Sequence, residues 1–139
     1  MSYWLCKTEP TVYSWEQLQQ DGETSWDGVR NFQARNNLQA MKSGDFVLIY
    51  HSGDDKDIRG IAQVVKEAYP DPSALEGKWV SVRLKAIASL GRPLQLEEIR
   101  NTYGLNVMPL VTQTRLSVQP VTELQWQAVL KYTKTASPE

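Results

Sequence analysis

The chain has 139 residues, 41% of them apolar and 22% charged, which fits one globular domain able to bury roughly 68–70% of its extended surface without staples. A formal net charge of −1 excludes a global positive field, so any nucleic-acid contact must use a local patch; the single Cys6 excludes an internal disulfide and a cysteine-based zinc site, and the single His51 argues against a histidine-rich metal centre. No apolar run approaches the ~20 residues needed to span a bilayer, and MSYWLCKTEP meets charge and proline too early for a secretory leader, so the expected setting is soluble and cytoplasmic, or nuclear in a eukaryote.

The first predicted element is a strand over residues 3–7, YWLCK, which stops before Pro10. A helix then starts at Ser14: Ser14 and Gln17 fit an S-x-x-Q capping box, Tyr13 and Leu18 fit the hydrophobic staple around it, and Asp21-Gly22 ends it. A second helix runs from about Phe32 to Lys42, with Asn31 as N-cap, Ala34, Leu38 and Met41 on one apolar face, and Gly44 as its stop. DFVLIY, residues 45–50, reads as a buried strand, and residues 58–68 as another with Gly60 at a bulge. In residues 79–88 Val80, Val82, Leu84 and Ala86 alternate with Ser81, Arg83 and Lys85, the pattern of a half-exposed antiparallel strand. Leu96 to Thr102 is a short helix and residues 114–119 a last strand before Pro120. The final helix has Thr122 and Gln125 as a capping box, Val121 and Trp126 as a staple, and Trp126, Val129 and Leu130 as its buried face. Five or six short strands, irregularly interrupted by helices, predict an α+β fold: a mixed sheet whose ends close into a small pseudo-barrel with peripheral helices.

Five tryptophans and six tyrosines exceed what a core this small requires, and flat ligands are held by such side chains. The segment WDGVRN, Trp26 to Asn31, leads straight into a helix N-terminus. Its tryptophan offers a face for stacking, its arginine a planar fork, and its asparagine a two-way hydrogen-bonding edge; these are the parts a flipped-out base needs. The same residues also fit a core anchor, a turn and a solvated charge. Lys7-Thr8-Glu9-Pro10 follows a strand end and carries the residue types of an activated nucleophile, although strand neighbours point to opposite faces. Tyr50-His51-Ser52 ends a buried strand without a nucleophile elbow around the serine. Tyr69-Pro70-Asp71 and Arg115-Leu116-Ser117 are two further polar clusters at strand ends. Metal sites, a P-loop and a dinucleotide fingerprint lack their required residues.

Taken together, WLCKTEP (4–10), WDGVRNFQARNN (26–37), GDFVLIYHS (44–52), GIAQVVKEAYPD (60–71) and TRLSVQPV (114–121) closely resemble the EVE domain family, in order and over nearly the whole chain. The resemblance implies a single EVE domain over residues 1–135 with a flexible tail at 136–139, and a PUA-like mixed β pseudo-barrel of the kind also found in YTH and ASCH domains. It implies a non-catalytic module that holds a modified base, such as 5-methylcytosine or a derivative, with no cofactor, metal or membrane, as a monomer or weak dimer on modified DNA or RNA. On that footing Trp26 stacks on the base; Asn31, Thr8 and Ser52 read its polar edge; Val29 and Leu116 tolerate a methyl; Tyr50, His51 and Ser117 complete the wall; and Lys7, Arg30, Arg35 and Arg115 meet phosphate. Compared with longer relatives the stretch between Asp71 and Trp79 is compact. The alternative is a small amidohydrolase-like enzyme acting on a modified nucleoside through Lys7, Thr8 and Glu9, as some related ASCH domains do.

Overall fold

The computed structural model describes all 139 residues. In chain order the elements are β1 (Tyr3–Thr8), α1 (Trp15–Asp21), β2 (Glu23–Trp26), α2 (Phe32–Ala40), β3 (Phe46–His51), β4 (Asp57–Pro70), β5 (Val80–Gln95), α3 (Leu96–Arg100), α4 (Pro109–Thr112), β6 (Val118–Val121) and α5 (Glu123–Tyr132). The six strands form one sheet in the order β2-β5-β4-β3-β1-β6. β1 and β3 run parallel; every other pair is antiparallel. No helix is long and apolar enough to cross a membrane.

The helix starts follow from local chemistry. Asn31 Oδ1 accepts from the Ala34 N–H at 2.9 Å, and Ser14 Oγ accepts from the Gln17 N–H at 3.0 Å. Only α5 completes the reciprocal box: the Gln125 N–H donates to Thr122 Oγ1 and the Thr122 N–H to Gln125 Oε1. At α1 the Gln17 amide instead donates to Asp21 Oδ1.

The sheet has a core on each face. One holds Tyr3, Leu5, Phe46, Leu48 and Tyr50 under α3, α4 and α5; the other holds Trp4, Cys6, Val47, Ile49, Val82 and Leu84 under α1 and α2. Strand parity sorts these side chains, since neighbours on a strand face opposite ways. Trp126 of α5 stacks between Tyr3 (4.6 Å) and Phe46 (5.7 Å) in the first core. On the second face Trp15 lies so close over Gly60 that a Cβ there would overlap the indole. The bulge expected at this glycine is present, because the β3 pairing steps from Ile49↔Gly60 to Tyr50↔Ile58.

The expected closure into a pseudo-barrel is not what the chain does. β1 and β6 do lie side by side, but β1 sits between β6 and β3, so their pairing ends the sheet instead of sealing it; β2 and β6 remain as two separate edges. The helix α2 occupies the intervening space. It packs on β6 and on β5, and its Asn37 Nδ2 donates to the Val118 carbonyl of the β6 edge at 2.7 Å. Both faces being covered by helices, the sheet is an open mixed layer in an α+β fold.

Emptying the Tyr3–Trp126–Phe46 stack should leave a cavity that the surrounding core cannot refill. Trp126→Ala is expected to cost about 3–5 kcal/mol in urea unfolding, with an unchanged m-value.

Candidate functional site

β1 and β2 run in opposite directions and lie far apart in the strand order, yet the residues at and after both their C-terminal ends line one cavity of about 700 Å³. One wall is Lys7, Thr8 and Glu9, with Val12 and Tyr13 from the turn into α1. The other runs from Thr24 to Asn31, through the end of β2 and the loop into α2, and Ser117 closes the third side just ahead of β6. Such a volume is in the range of small-ligand clefts.

A buried carboxylate holds the 27–31 loop in shape. Asp71 Oδ2 accepts from the Gly28 N–H at 2.9 Å and from Arg30 Nη1 at 2.8 Å, while Oδ1 accepts from the Ser73 N–H and hydroxyl, both at 2.7 Å. Burial pushes this carboxyl upward, but the donors from Arg30, Ser73 and Gly28 outweigh it and hold the pKa down at about 2. Gly28 takes φ +81°, a conformation that favours glycine, and so brings its N–H onto Asp71. Arg30 also donates to the Val29 carbonyl and to Ser73 Oγ. Its charge is therefore compensated, and its first task is to fix the loop.

Of the residues singled out in the sequence, Lys7, Thr8, Trp26, Val29, Arg30, Asn31 and Ser117 line the cavity. Trp26 and Val29 are each only 7% exposed and belong to the second core, so Trp26 is a core anchor that shows an edge to the cavity; Tyr13 meets its ring edge-on at 6.2 Å. Asn31 Oδ1 is spent on the helix cap, which leaves the Nδ2 donors for a ligand. Lys7 is half-buried: its Nζ donates to the Thr114 carbonyl at 2.8 Å, it has no carboxylate partner, and burial holds its pKa below the ordinary lysine value.

Tyr50, His51, Ser52, Leu116, Arg35 and Arg115 do not line this cavity. Parity sends Tyr50 into the first core, on the opposite face from the cavity wall. His51 is buried; its Nε2 accepts the Trp15 N–H at 2.8 Å, which leaves Nδ1 as the donor to Asp55 Oδ2 at 3.0 Å. It thus satisfies an orphan donor at the start of α1. His51, Asp55 and Asp57 do gather their ligand-type atoms within 4.8 Å, but Arg59 already supplies a cation there, 3.3 Å from Asp55 and 2.8 Å from Asp57. Ser52 Oγ donates to the Thr8 carbonyl, away from His51. Leu116 is buried in the second core, and Arg115 lines a neighbouring shallow groove with Asn31 and Gln33. Arg35 lies beyond the cavity, over the ring of Phe32.

Lys7, Thr8 and Glu9 do converge, because β1 ends at Thr8 and the chain turns there. The geometry of an activated nucleophile is nevertheless missing. Thr8 Oγ1 gives its proton to the Tyr13 carbonyl at 2.6 Å, so neither Lys7 nor Glu9 is placed to receive it. Sequence reasoning missed Val12, Tyr13, Thr24 and Ser25 as cavity residues, and Asp71 as the loop's clamp. Tyr13 had a signal, as the staple residue of α1; Asp71 had none beyond its place at a strand end.

The EVE domain family model matches residues 2–132 of the chain. Human thymocyte nuclear protein 1 is 36% identical over 163 aligned positions, covering 93% of this chain and 72% of that protein. The crystal structure of a protein from Agrobacterium tumefaciens superposes with a TM-score of 0.96 at 41% identity, over 99% of this chain and 97% of that one. The crystal structure of the human THYN1 protein in complex with 5-methylcytosine-containing DNA superposes with a TM-score of 0.90 at 34% identity, over 99% of this chain and 100% of that one.

Asp71→Asn should destabilise the protein by about 2 kcal/mol near neutral pH, as judged by denaturant unfolding. Because the native pKa lies below that of the unfolded chain, the carboxylate's stabilisation is full above about pH 4 and is lost as the pH falls towards about 2. The unfolding free energies of wild type and variant are therefore expected to converge across that window.

Proposed function

The chain belongs to the EVE domain family, and from that membership we propose that it is a non-catalytic nucleic-acid-binding module that holds a modified cytosine in the cavity between the end of β1 and the 27–31 loop. The observation that carries this reading is the cavity itself, formed by the WDGVRN segment in a fold that superposes on a relative solved with 5-methylcytosine-containing DNA.

The lining supplies what a cytosine edge requires. The base presents acceptors at O2 and N3 and a donor at N4. Asn31 Nδ2 and the N–H groups that Lys7 Nζ keeps beyond its bond to Thr114 are available donors; Thr8 Oγ1, whose proton is committed to Tyr13, is an acceptor, as are the carboxylates of Glu9 and Asp27. Val29, Val12 and the edge of Trp26 form the apolar portion that accommodates a 5-methyl group. One methyl contributes about 0.8 kcal/mol, so preference over unmodified cytosine is a factor of a few, not of thousands. With Arg30 compensated by Asp71, the lining sets Lys7 against Glu9 and Asp27, which favours a base over a phosphate in the cavity. DNA is favoured over RNA by the relative's complex.

Asn31→Asp tests the reading without disturbing the helix, because Asp caps as well as Asn while the Nδ2 donor is lost and a negative charge is added. Affinity for a 5-methylcytosine oligonucleotide, measured by fluorescence anisotropy, should fall at least about tenfold with thermal stability unchanged. Equal affinity of wild type for methylated, hydroxymethylated and unmodified DNA would sink the proposal, and tighter binding of a modified RNA strand would move the partner to RNA.

A further inference from the structure

Next to the Arg30–Asn31 wall of the cavity, on the outside, the surface carries an aromatic pair surrounded by cations. Phe32, the first residue of α2, is 54% exposed and stacks on Trp79, the residue before β5, with ring centroids 5.0 Å apart. Neither ring belongs to either core. The Arg35 guanidinium lies 5.0 Å from the Phe32 centroid, the Lys78 ammonium 5.6 Å from each ring, and the Arg30 guanidinium 5.7 Å from Trp79.

The three cations are not equally committed. Arg30 is tied to buried Asp71 and lines the cavity, so it links cavity and pair. Arg35 has no carboxylate partner and bonds only to the Asn36 side chain and the Lys78 carbonyl. Lys78 pairs with Glu76 on the open surface, where such a pair is weak and easily exchanged for a phosphate. A half-exposed aromatic pair, with Arg35 over the Phe32 ring and Lys78 beside both rings and neither held by a buried carboxylate, is a combination that holds a single-stranded stretch of nucleic acid: a base takes the ring in place of the guanidinium, and the two cations turn to its backbone.

We propose that the Phe32–Trp79 pair, with Arg35 and Lys78, is a second contact site for the DNA strand, in which the nucleotide next to the captured base stacks on Phe32 and its phosphate lies against Arg35 and Lys78. This rests on the base-pocket reading above, since Asn31 in the cavity wall and Phe32 on the platform are consecutive residues, about 3.8 Å apart along the backbone. A strand that enters the cavity across its Arg30–Asn31 side passes over the pair.

The test compares wild type, Phe32→Leu, Phe32→Trp and Arg35→Gln on three probes: 5-methyl-2′-deoxycytidine by calorimetry, and by anisotropy a single strand with one 5-methylcytosine and the same strand unmodified. Phe32→Leu keeps an apolar cover over Trp79 but loses the ring. It should weaken both strands at least about fivefold, the low end for one stacked base, and leave the nucleoside unchanged. Phe32→Trp should restore strand binding, and Arg35→Gln should reduce the slope of log affinity against log salt by about one phosphate's worth. Strand affinities for Phe32→Leu within about twofold of wild type would overturn the platform, as would a parallel loss of nucleoside binding, which would make the pair a prop for the cavity wall. A Phe32 effect that persists with no preference for the methylated strand would instead overturn the base-pocket reading alone. Absence of strand binding by wild type would overturn both.

Discussion

β3 and its parallel neighbour β1 are buried on both faces, and every other part of the molecule hangs from that pair. Their alternating side chains supply two separate cores: Phe46, Leu48 and Tyr50 with Tyr3 and Leu5 on one side, Val47 and Ile49 with Trp4 and Cys6 on the other. A shift of one residue in their register would exchange the two sets and empty both cores at once. The pairing therefore fixes where β1 ends, and with it the position of Lys7, Thr8 and Glu9 at the cavity mouth. It also fixes His51, which reaches from the end of β3 to the first N–H of α1 and so sets the approach of the Val12–Tyr13 turn.

The cavity is rigid on one side and adjustable on the other. The 27–31 loop is held by four hydrogen bonds to Asp71, two from the loop and two from Ser73, and by the Asn31 cap. The opposite wall ends in Lys7 and Glu9, long side chains with few partners. A ligand thus meets a preformed edge and two movable charges, an arrangement that fits recognition of a small planar group better than bond-breaking chemistry, which needs a base already aimed at its nucleophile.

Much of this was legible in the sequence wherever the signal is local. The caps at Ser14, Asn31 and Thr122 are contacts over three residues, and all three form. The contiguous motifs KTE and WDGVRN likewise arrive in the cavity together. What escaped depends on partners distant in sequence. ETSW of β2 is polar and four residues long, and is a strand only because Val82 to Lys85 pair with it. The second half of β5 contains Gly91 and Pro93, which read as a stop, yet it continues because the start of β4 pairs with it. Tyr50 was adjacent to the right residues but of the wrong parity, and Leu116 next to Ser117 was lost to the core in the same way. The fate of Arg30 turned on Asp71, 41 positions away. That the sheet stays open is not legible in the sequence, because neighbouring first and last strands are compatible with a cylinder, while the place of β2 and the wedge of α2 are tertiary facts.

An open sheet leaves two rims on which a foreign strand can grow, and here they are unequal. On β6 the Val118 carbonyl is already taken by Asn37, and Pro120, two residues on and so facing the same way, has no N–H to offer. That rim is closed to templated addition by another chain. The remaining rim, β2, has only four residues and ends in Trp26 at the cavity wall, so a strand annealing there would run up against the binding site. Any strand added at that rim would compete with a ligand in the cavity for the space beside Trp26.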